Sequence, residues 1–563
     1  MKFSEYRYER PDVEQFKTDF TTLLKGLENG SLEEQKAAVA AMNELRSKFG
    51  TMETLVSVRH SINTEDEFYK AEQDYMDEIG PVVQEYITDY YRALVNSRYR
   101  AEFEQEWGTQ LLSLAEISLR TFSPEVIGDL QLENKLSSEY AQLIASAKIR
   151  FDGEERTLAQ LIPYDSSTDR SVRQGAFEAR YAFMSEHEPE LDRIYDELVK
   201  VRASIAAKLG YSSFVELGYE RMMRTDYNAG MVANFRKQVL ENIVPLATKL
   251  KQRQKERLGL DELKFYDEGI SFNSGNATPK GDADWIVANG AKMYKELSPE
   301  TDEFFTFMLD NGLMDLVSKK GKQFGGYCTY FSDYQAPFIF SNFNGTSADI
   351  DVLTHEVGHA FQVYSSRNSG VPEYAFPTFE AAEIHSMSME FFAWPWMDQF
   401  FEQDADKYRF NHLAESLLFI PYGVSVDEFQ HFVYEHPEAT PAERKQAWRE
   451  IEQKYLPHRD YDGNVYLEQG GFWQKQAHIY RSPFYYIDYT LAQLCAFQFW
   501  KRSNEDFKSA WSDYLRLCKA GGSQSFTKLV ELAGLISPFE DGCVSSVIGD
   551  IESWLNSIDD KAL

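Results

Sequence analysis

The residues best suited to chemistry form the pentapeptide His355-Glu356-Val357-Gly358-His359. If this segment is helical, His355 and His359 lie one turn apart on the same face. Two imidazoles at this spacing can bind one zinc ion, with each nitrogen about 2.0–2.1 Å from the metal. Glu356 is turned away from that face and can take a proton from a water molecule on the metal. The spacing therefore predicts a zinc hydrolase with ligands His355 and His359 and the general base Glu356.

The surrounding sequence favours a helix at this point. Ser347 and Asp349 offer N-caps before the pentapeptide. The apolar side chains that follow recur at helical rather than strand spacing. They are Ile350, Val352, Leu353, Val357, Ala360 and Phe361.

A catalytic zinc ion needs a third protein ligand, which leaves its fourth position for water. In metzincins a glycine and a histidine follow three and six residues after the second histidine, but these positions hold Gln362 and Ser365 here. The metzincin class is therefore excluded. A second helix is predicted from Phe379 to Trp394, where Pro395 interrupts it.

This second helix carries three carboxylates. They are Glu380, Glu383 and Glu390. Glu383 and Glu390 are seven residues apart and lie on one face. We expect Glu383 to be the ligand and Glu390 to accept a hydrogen bond that holds a ligand histidine in its tautomer. From spacing alone, Glu380 is an alternative third ligand.

Together, the two motifs resemble those of the thimet oligopeptidase and oligoendopeptidase F family of zinc peptidases. The third ligand of that family begins a Glu-x-x-Ser-x-x-x-Glu pattern, which Glu383, Ser386 and Glu390 match. The resemblance thus implies Glu383 rather than Glu380. Residues 337–345 also resemble the stretch before the family's zinc helix, and the length of 563 residues suits the bacterial oligoendopeptidase F branch, including the Pz-peptidase-like enzymes.

Polar side chains gather again after Gly470-Gly471. They are His478, Tyr485, Tyr486 and Tyr489. A peptidase needs hydrogen-bond donors aimed at the oxyanion that forms during hydrolysis. The family presents a histidine and tyrosines on a glycine-containing loop near this point, so the resemblance assigns His478 and Tyr489 to the transition state. It assigns Tyr486 to substrate or oxyanion contact.

This chain departs from the thimet-type pattern in that segment. Ile479-Tyr480-Arg481 stands where those members have glycines. The departure leaves the mobility of the loop and the choice between Tyr485 and Tyr486 undecided.

Helical signals dominate the rest of the chain and predict a mainly α fold. Ser31 and Glu34 form a capping box before an alanine-rich helix that we expect to stop at Gly50. Lys148–Thr157 reads as a small hairpin that turns at Asp152-Gly153. We therefore predict a helical N-terminal domain at residues 1–190 and a zinc-dependent catalytic domain at residues 191–563.

A strand is predicted at residues 334–343, beside the zinc helix. Phe338, Ile339, Phe340 and Phe343 make it the best candidate for the edge strand of a small sheet. Such an edge can pair with the main chain of an extended peptide and leave specificity to side-chain pockets. The alternative is an ordinary core strand.

Composition narrows the partners and the compartment. The chain has 58 basic and 90 acidic residues, a net charge of −32, which argues against nucleic acid or an anionic membrane as partner. Residues 1–11 lack the apolar core of a secretory signal, and no stretch of about 18 apolar residues occurs, so we expect a cytoplasmic protein. The four cysteines are too scattered for a disulfide framework and are expected to be reduced.

The leading hypothesis is an endopeptidase with one Zn²⁺ per chain that cleaves short, unstructured oligopeptides. The resemblance further implies an elongated helical body with a deep substrate channel around the zinc. A zinc carboxypeptidase on a similar scaffold and a non-catalytic peptide-binding protein are the alternatives. The sequence predicts neither the cleavage-site preference nor the oligomeric state.

Overall fold

A computed structural model describes residues 1–323 and 325–563. Helices dominate these residues, which confirms the predicted mainly α fold. The helices are α1 (Val13–Asn29), α2 (Leu32–Ile62), α3 (Glu67–Val95), α4 (Arg100–Trp107), α5 (Thr109–Arg120), α6 (Ile127–Ala145), α7 (Arg170–Glu186), α8 (Glu188–Lys208), α9 (Phe214–Arg221), α10 (Ala229–Leu258), α11 (Ala283–Leu297), α12 (Pro299–Asn311), α13 (Ala348–Ser366), α14 (Phe379–Phe392), α15 (Asp398–Phe401), α16 (Ala405–Glu435), α17 (Pro441–Tyr455), α18 (Val465–Glu468), α19 (Ala477–Arg481), α20 (Tyr486–Ala520), α21 (Phe526–Leu532) and α22 (Ser545–Ser557). The strands are β1 (Ile149–Phe151), β2 (Glu154–Arg156), β3 (Met314–Val317), β4 (Tyr327–Phe331) and β5 (Ala336–Phe343).

The chain forms two compact units, each assembled from three segments. The first unit consists of Met1–Arg120, Thr278–Glu402 and Gln498–Leu535. The second consists of Thr121–Ala277, Gln403–Phe497 and Ile536–Leu563. These units are defined by contacts and do not test whether residues 1–190 form a domain of their own, which stays a prediction.

Helix α2 begins as predicted but ends later than predicted. The backbone N–H of Ser31 donates to the Glu34 carboxylate at 2.7 Å, as in the expected capping box. The predicted end at Gly50 is wrong, because the helix continues for twelve more residues, to Ile62. A glycine costs a helix only about 1 kcal/mol, whereas burying one large apolar side chain gains about 1.5–3 kcal/mol, and Leu55 and Val56 are fully buried.

The hairpin in the second unit matches its prediction. Strands β1 and β2 pair antiparallel, with Phe151 opposite Glu154. The two turn residues, Asp152 and Gly153, have φ angles of 52° and 77°. A type I′ turn requires positive φ at both central positions, which Asp-Gly supplies at low cost.

The three-stranded sheet of the first unit has the order β3-β5-β4. Strand β5 is parallel to β3 and antiparallel to β4, so the prediction of an edge strand at residues 334–343 is wrong. Its apolar run is nearly all buried, as expected of a strand with neighbours on both sides. The sheet packs beside α13 through β5 and β4, which confirms the predicted small sheet next to the zinc helix.

The N-terminal helices are fastened to the segment between α13 and α14, all within the first unit. The hydroxyl of Tyr374 donates to the carbonyl of Trp107 at 2.6 Å and accepts from the N–H of Leu111 at 3.0 Å. Beside it, the Arg46 guanidinium forms an ion pair of 2.5 Å with Glu373. These contacts fix the loop that leads from the first predicted metal-binding helix to the second.

Two further predictions concern the whole described chain. All four cysteines are free thiols, as predicted, and three of them are buried. No helix among residues 1–323 and 325–563 combines the length and the apolar character needed to cross a bilayer.

Candidate active site

Helix α13 starts from a tight turn. Gly345 has a φ of 88°, and the Asp349 carboxylate accepts the backbone N–H groups of Asn344 and Gly345, both at 2.8 Å. Ser347 occupies the N-cap position, but its side chain makes no capping hydrogen bond, so the prediction that it caps the helix is wrong. Asp349 instead ties the preceding turn to the first helical turn.

The two predicted imidazoles and one carboxylate converge in the first unit. Nε2 of His355 lies 3.2 Å from Oε2 of Glu383, and Nε2 of His359 lies 3.5 Å from the same oxygen. Ligands about 2.0–2.2 Å from a tetrahedral zinc ion are about 3.3–3.6 Å from one another. The donors therefore fit zinc in both chemistry and spacing. Glu380, the alternative that spacing had left, is not in this group, which comprises His355, His359 and Glu383.

Neighbouring side chains hold two of these three groups, His355 and Glu383, in place. Oε1 of Glu390 lies 2.7 Å from Nδ1 of His355, as predicted for the outer carboxylate. The hydroxyl of Ser386 donates to Oε2 of Glu383 at 2.9 Å. Burial raises the pKa of Glu383, but the two imidazoles lower it more, so that its pKa lies well below the usual range. Glu383 is therefore ionised at neutral pH, as a ligand must be.

Close packing of α13 on α14 brings Glu383 within reach of the imidazoles. A Cβ atom at Gly358 would lie 2.6 Å from Cα of Ser386 and 2.7 Å from the carbonyl oxygen of His385. Only a glycine lets the two helix backbones approach this closely. On its other side, the His385 carbonyl accepts the hydroxyl of Tyr514 at 2.8 Å, in the same unit.

Glu356 is buried beside the start of strand β4. Glu356 is 8% exposed, and this burial raises the pKa of its carboxyl group. A Cβ atom at Gly326 would lie 3.6 Å from Oε1 of Glu356. The glycine therefore leaves the space beside the carboxylate free of a side chain. A carboxylate with a raised pKa is a better proton acceptor than an exposed one.

A second predicted cluster assembles in the second unit. The ring of His478 on α19 lies 5.1 Å from that of Tyr486 and 5.9 Å from that of Tyr489, measured between centroids. Tyr485 is at a similar distance, 5.6 Å, so the choice between Tyr485 and Tyr486 stays undecided. Helix α20 begins at Tyr486.

A relay of hydrogen bonds that the sequence did not predict orients His478. The hydroxyl of Tyr422 donates to Oε1 of Gln476 at 2.8 Å, which leaves the amide nitrogen of Gln476 2.8 Å from Nδ1 of His478. Nδ1 then accepts, and the neutral ring carries its proton on Nε2. His478 is thereby prepared as a hydrogen-bond donor.

The loop before the tyrosines is held in a strained conformation. Phe484 has a φ of 67°, which is a genuine outlier for a bulky residue. Its N–H donates to Gln430 at 2.9 Å, and its carbonyl accepts from Arg224, which also pairs with the buried Asp488 at 2.7 Å. Buried contacts on both sides of the peptide thus maintain the turn that leads into Tyr485 and α20.

The predicted site residues therefore form two groups. His355, Glu356, His359 and Glu383 belong to the first compact unit. His478, Tyr486 and Tyr489 belong to the second. The contact of the second group with a substrate at the first stays a prediction.

Family comparisons agree with the resemblance seen in the sequence. The pattern described as the peptidase M3 N-terminal domain matches residues 3–122. The pattern described as peptidase family M3 matches residues 164–273 and 292–547. The second match includes both groups of predicted site residues.

Solved structures and curated relatives point to the same family. A structure of Pz peptidase A with an inhibitor is 64% identical, with a TM-score of 0.95 and all of both chains covered. A protein provisionally named oligoendopeptidase F from Bacillus anthracis is 61% identical, with a TM-score of 0.90 over 100% of this chain and 99% of the other. An oligoendopeptidase F homolog of Borreliella burgdorferi is 24% identical over 63% of this chain. That match spans only 60% of the relative's own length.

Proposed function

We propose that this chain, which belongs to peptidase family M3, is a zinc-dependent endopeptidase that hydrolyses internal bonds of short oligopeptides. The observation that carries the proposal is the convergence of His355, His359 and Glu383, with ligand-to-ligand distances of 3.2 and 3.5 Å. In this proposal one zinc ion per chain is held by these three side chains. When bound, zinc would supply a Lewis acid that lowers the pKa of water and polarises the peptide carbonyl.

Glu356 carries the proton in the proposed reaction. It takes the proton from the water molecule that attacks the peptide carbonyl and returns it to the leaving amine. The raised pKa of the buried carboxylate supports this role, because such a group binds a proton more readily than an exposed carboxylate does.

His478, Tyr486 and Tyr489 are proposed to stabilise the oxyanion, as the family resemblance implies. Support comes from the Gln476 contact, which leaves the Nε2–H of His478 as a donor. Burial raises the pKa of Tyr486 well above its ordinary value, so its hydroxyl stays protonated and can donate as well. A single well-aimed donor of this kind is worth about 3–4 kcal/mol in the transition state.

Strand β4 is the proposed docking edge for the peptide main chain. The sequence had assigned this role to residues 334–343, which form the central strand instead. Strand β4 lies at the edge of the same sheet, and Gly326 immediately before it is next to Glu356. Main-chain pairing there would accept extended peptides of varied sequence.

The oligopeptide substrate is inferred from relatives. Besides the oligoendopeptidases, a group B oligopeptidase of Streptococcus agalactiae is 22% identical over 68% of this chain and 63% of its own length. Because this chain spans less than two thirds of such relatives, their activity is transferred here only as part of the proposal.

The test uses peptides of graded length that are blocked at both ends, with and without a zinc chelator. The proposal expects internal cleavage products by mass spectrometry, lost with the chelator and restored by zinc. Cleavage only of peptides with a free C-terminus would indicate the carboxypeptidase alternative. Binding of intact peptides without any product would indicate a non-catalytic peptide-binding protein.

A further inference from the structure

A polar recess lies between α6 and α19 in the second unit. Its volume is ≈ 530 Å³, which is large enough for part of a peptide. The polar residues that line it are Asn134, Ser137, Ser138, His478, Arg481 and Ser482. None of the described residues that line it carries a carboxylate. This is unusual in a chain with a net charge of −32.

Arg481 supplies the positive charge of the recess. Its side chain is exposed, and no ion pair joins it to a carboxylate of the described chain. By contrast, the half-buried Arg193 of the same unit contacts three carboxylates at 2.7–2.8 Å. Arg481 and His478 are three residues apart on α19, so both side chains lie on one face of that helix.

The walls of the recess are rigidly joined. The ring of Tyr140 on α6 stacks on that of Tyr480 on α19, with 3.9 Å between centroids. The buried Arg202 donates to the carbonyl of Tyr480 at 2.5 Å and to Glu133 of α6 at 2.7 Å. A recess that is already formed loses little conformational freedom when a ligand binds.

We propose that this recess binds a carboxylate of the peptide substrate, with the C-terminal carboxylate as its natural occupant. The inference rests on the proposed function. The planar guanidinium of Arg481 matches a carboxylate with two parallel hydrogen bonds. The hydroxyls of Ser137, Ser138 and Ser482 add neutral donors around it.

The experiment compares three versions of one peptide: a free C-terminal acid, a C-terminal amide, and an amide with an internal glutamate. The kcat/KM of each is measured for the wild type, Arg481→Gln, Arg481→Lys and Ser138→Asp. Arg92→Gln is the control, since Arg92 is an exposed arginine of α3 that pairs with the neighbouring Asp89. Zinc content and thermal stability are recorded for every variant.

The wild type and Arg92→Gln are expected to prefer the free acid about five- to tenfold, which is typical of a partly exposed charged hydrogen bond. Arg481→Gln should abolish the preference and Arg481→Lys should keep part of it. Ser138→Asp should weaken the preference for the free acid, because the new carboxylate would repel the carboxylate of the peptide. Ser138 is exposed, so the substitution buries no charge. If the peptide with the internal glutamate is preferred over the free acid, the recess binds the carboxylate of an acidic side chain rather than that of the C-terminus.

A second arm measures inhibition by inorganic phosphate. Inhibition of the wild type that Arg481→Gln removes, without any preference between acid and amide, would make a free oxyanion the occupant. If neither peptide preference nor phosphate inhibition depends on Arg481, the inference is overturned.

The inference and the proposed function can fail separately. If no peptide is hydrolysed at all, the proposed function fails, and the recess is then tested by the affinity of the acid and amide peptides for Glu356→Gln protein. Equal affinities for acid and amide in that measurement would overturn the recess as well.

Discussion

Oε1 of Glu390 lies 2.7 Å from Nδ1 of His355, and Nε2 of the same ring faces Glu383 at 3.2 Å. A carboxylate acceptor places the ring proton on Nδ1 and leaves the lone pair of Nε2 for a metal. The two helices α13 and α14 thus supply both the proposed ligands and the group that would orient one of them.

Replacing Glu390 should therefore weaken metal binding without removing a ligand. We expect Glu390→Ala to lower zinc affinity about 10–100-fold, the usual cost of losing such an orienting partner. Competition with a chromogenic chelator measures the affinity. Glu300→Ala is the control, because Glu300 is exposed in the first turn of α12. Equal affinities in both variants would show that Glu390 does not orient the ligand.

Gly358→Ala should separate α13 from α14. The added Cβ would meet backbone atoms of Ser386 and His385 at 2.6 and 2.7 Å, and a backbone contact cannot be relieved by a side-chain rotation. We expect a loss of about 1–3 kcal/mol in the free energy of unfolding, as for overpacked cores, together with weaker zinc binding.

The matched control for that substitution is Gly50→Ala. Gly50 lies inside α2, and its Cβ would have nothing within 4 Å. The control should be neutral or more stable, by about 0.5–1 kcal/mol, because alanine is the better helix former. Urea denaturation measures both variants, and equal effects on the two would refute the close-approach argument.

Gln476→Ala should lower turnover while zinc stays bound. Without the amide, Nδ1 of His478 is no longer held as the acceptor, so the ring samples other tautomers and orientations. We expect kcat to fall about tenfold, less than the 10²–10³-fold typical of losing a whole oxyanion donor, which His478→Ala would remove. Gln446→Ala on the exposed face of α17 is the control. Native turnover in Gln476→Ala would exclude the relay.

Glu268 predicts a pH dependence of stability in the second unit. Burial raises its pKa, but Arg459, Lys251 and His458 lower it from 4.5 to about 2. A lowered folded pKa stabilises the protein above pH 4.5, and this stabilisation is lost as the pH falls toward 2. Such a shift corresponds to about 3 kcal/mol.

Glu268→Gln should thus be less stable than the wild type by a few kcal/mol at pH 7, and the difference should shrink below pH 4.5. Chemical denaturation at pH 7, 4 and 3.5 gives the free energies of unfolding of the wild type and of Glu268→Gln at each pH. A difference that is the same at every pH would mean that the ion pairs of Glu268 do not produce it.

The sequence predicted which three side chains converge in the first unit, because the spacing that points to them is local. His355 and His359 share a face through helical periodicity alone, and Glu383 and Glu390 do so on the next helix. Spacing alone could not distinguish Glu383 from Glu380 as the third ligand, because the distinction depends on how the two helices pack. The family resemblance made the choice, and the convergence at Oε2 of Glu383 agrees with it.

Features that depend on distant partners were missed or wrong. Residues 334–343 read equally well as an edge or a core strand, because the neighbours of β5 lie elsewhere in the chain. The relay through Gln476 needs Tyr422, which is 54 residues away. The positive φ of Phe484 is favoured by no local signal and depends on Arg224 and Gln430. These contacts exist only once the helices have packed.

The most direct test of the account is the Glu356→Gln variant, assayed for zinc by elemental analysis and for cleavage of a doubly blocked peptide. We predict one zinc per chain, as in the wild type, because Glu356 is not among the proposed ligands. We also predict a kcat reduced by about 10²–10⁴-fold, the usual contribution of a general base. A variant that keeps its zinc and turns over at a near-native rate would contradict the proposed mechanism.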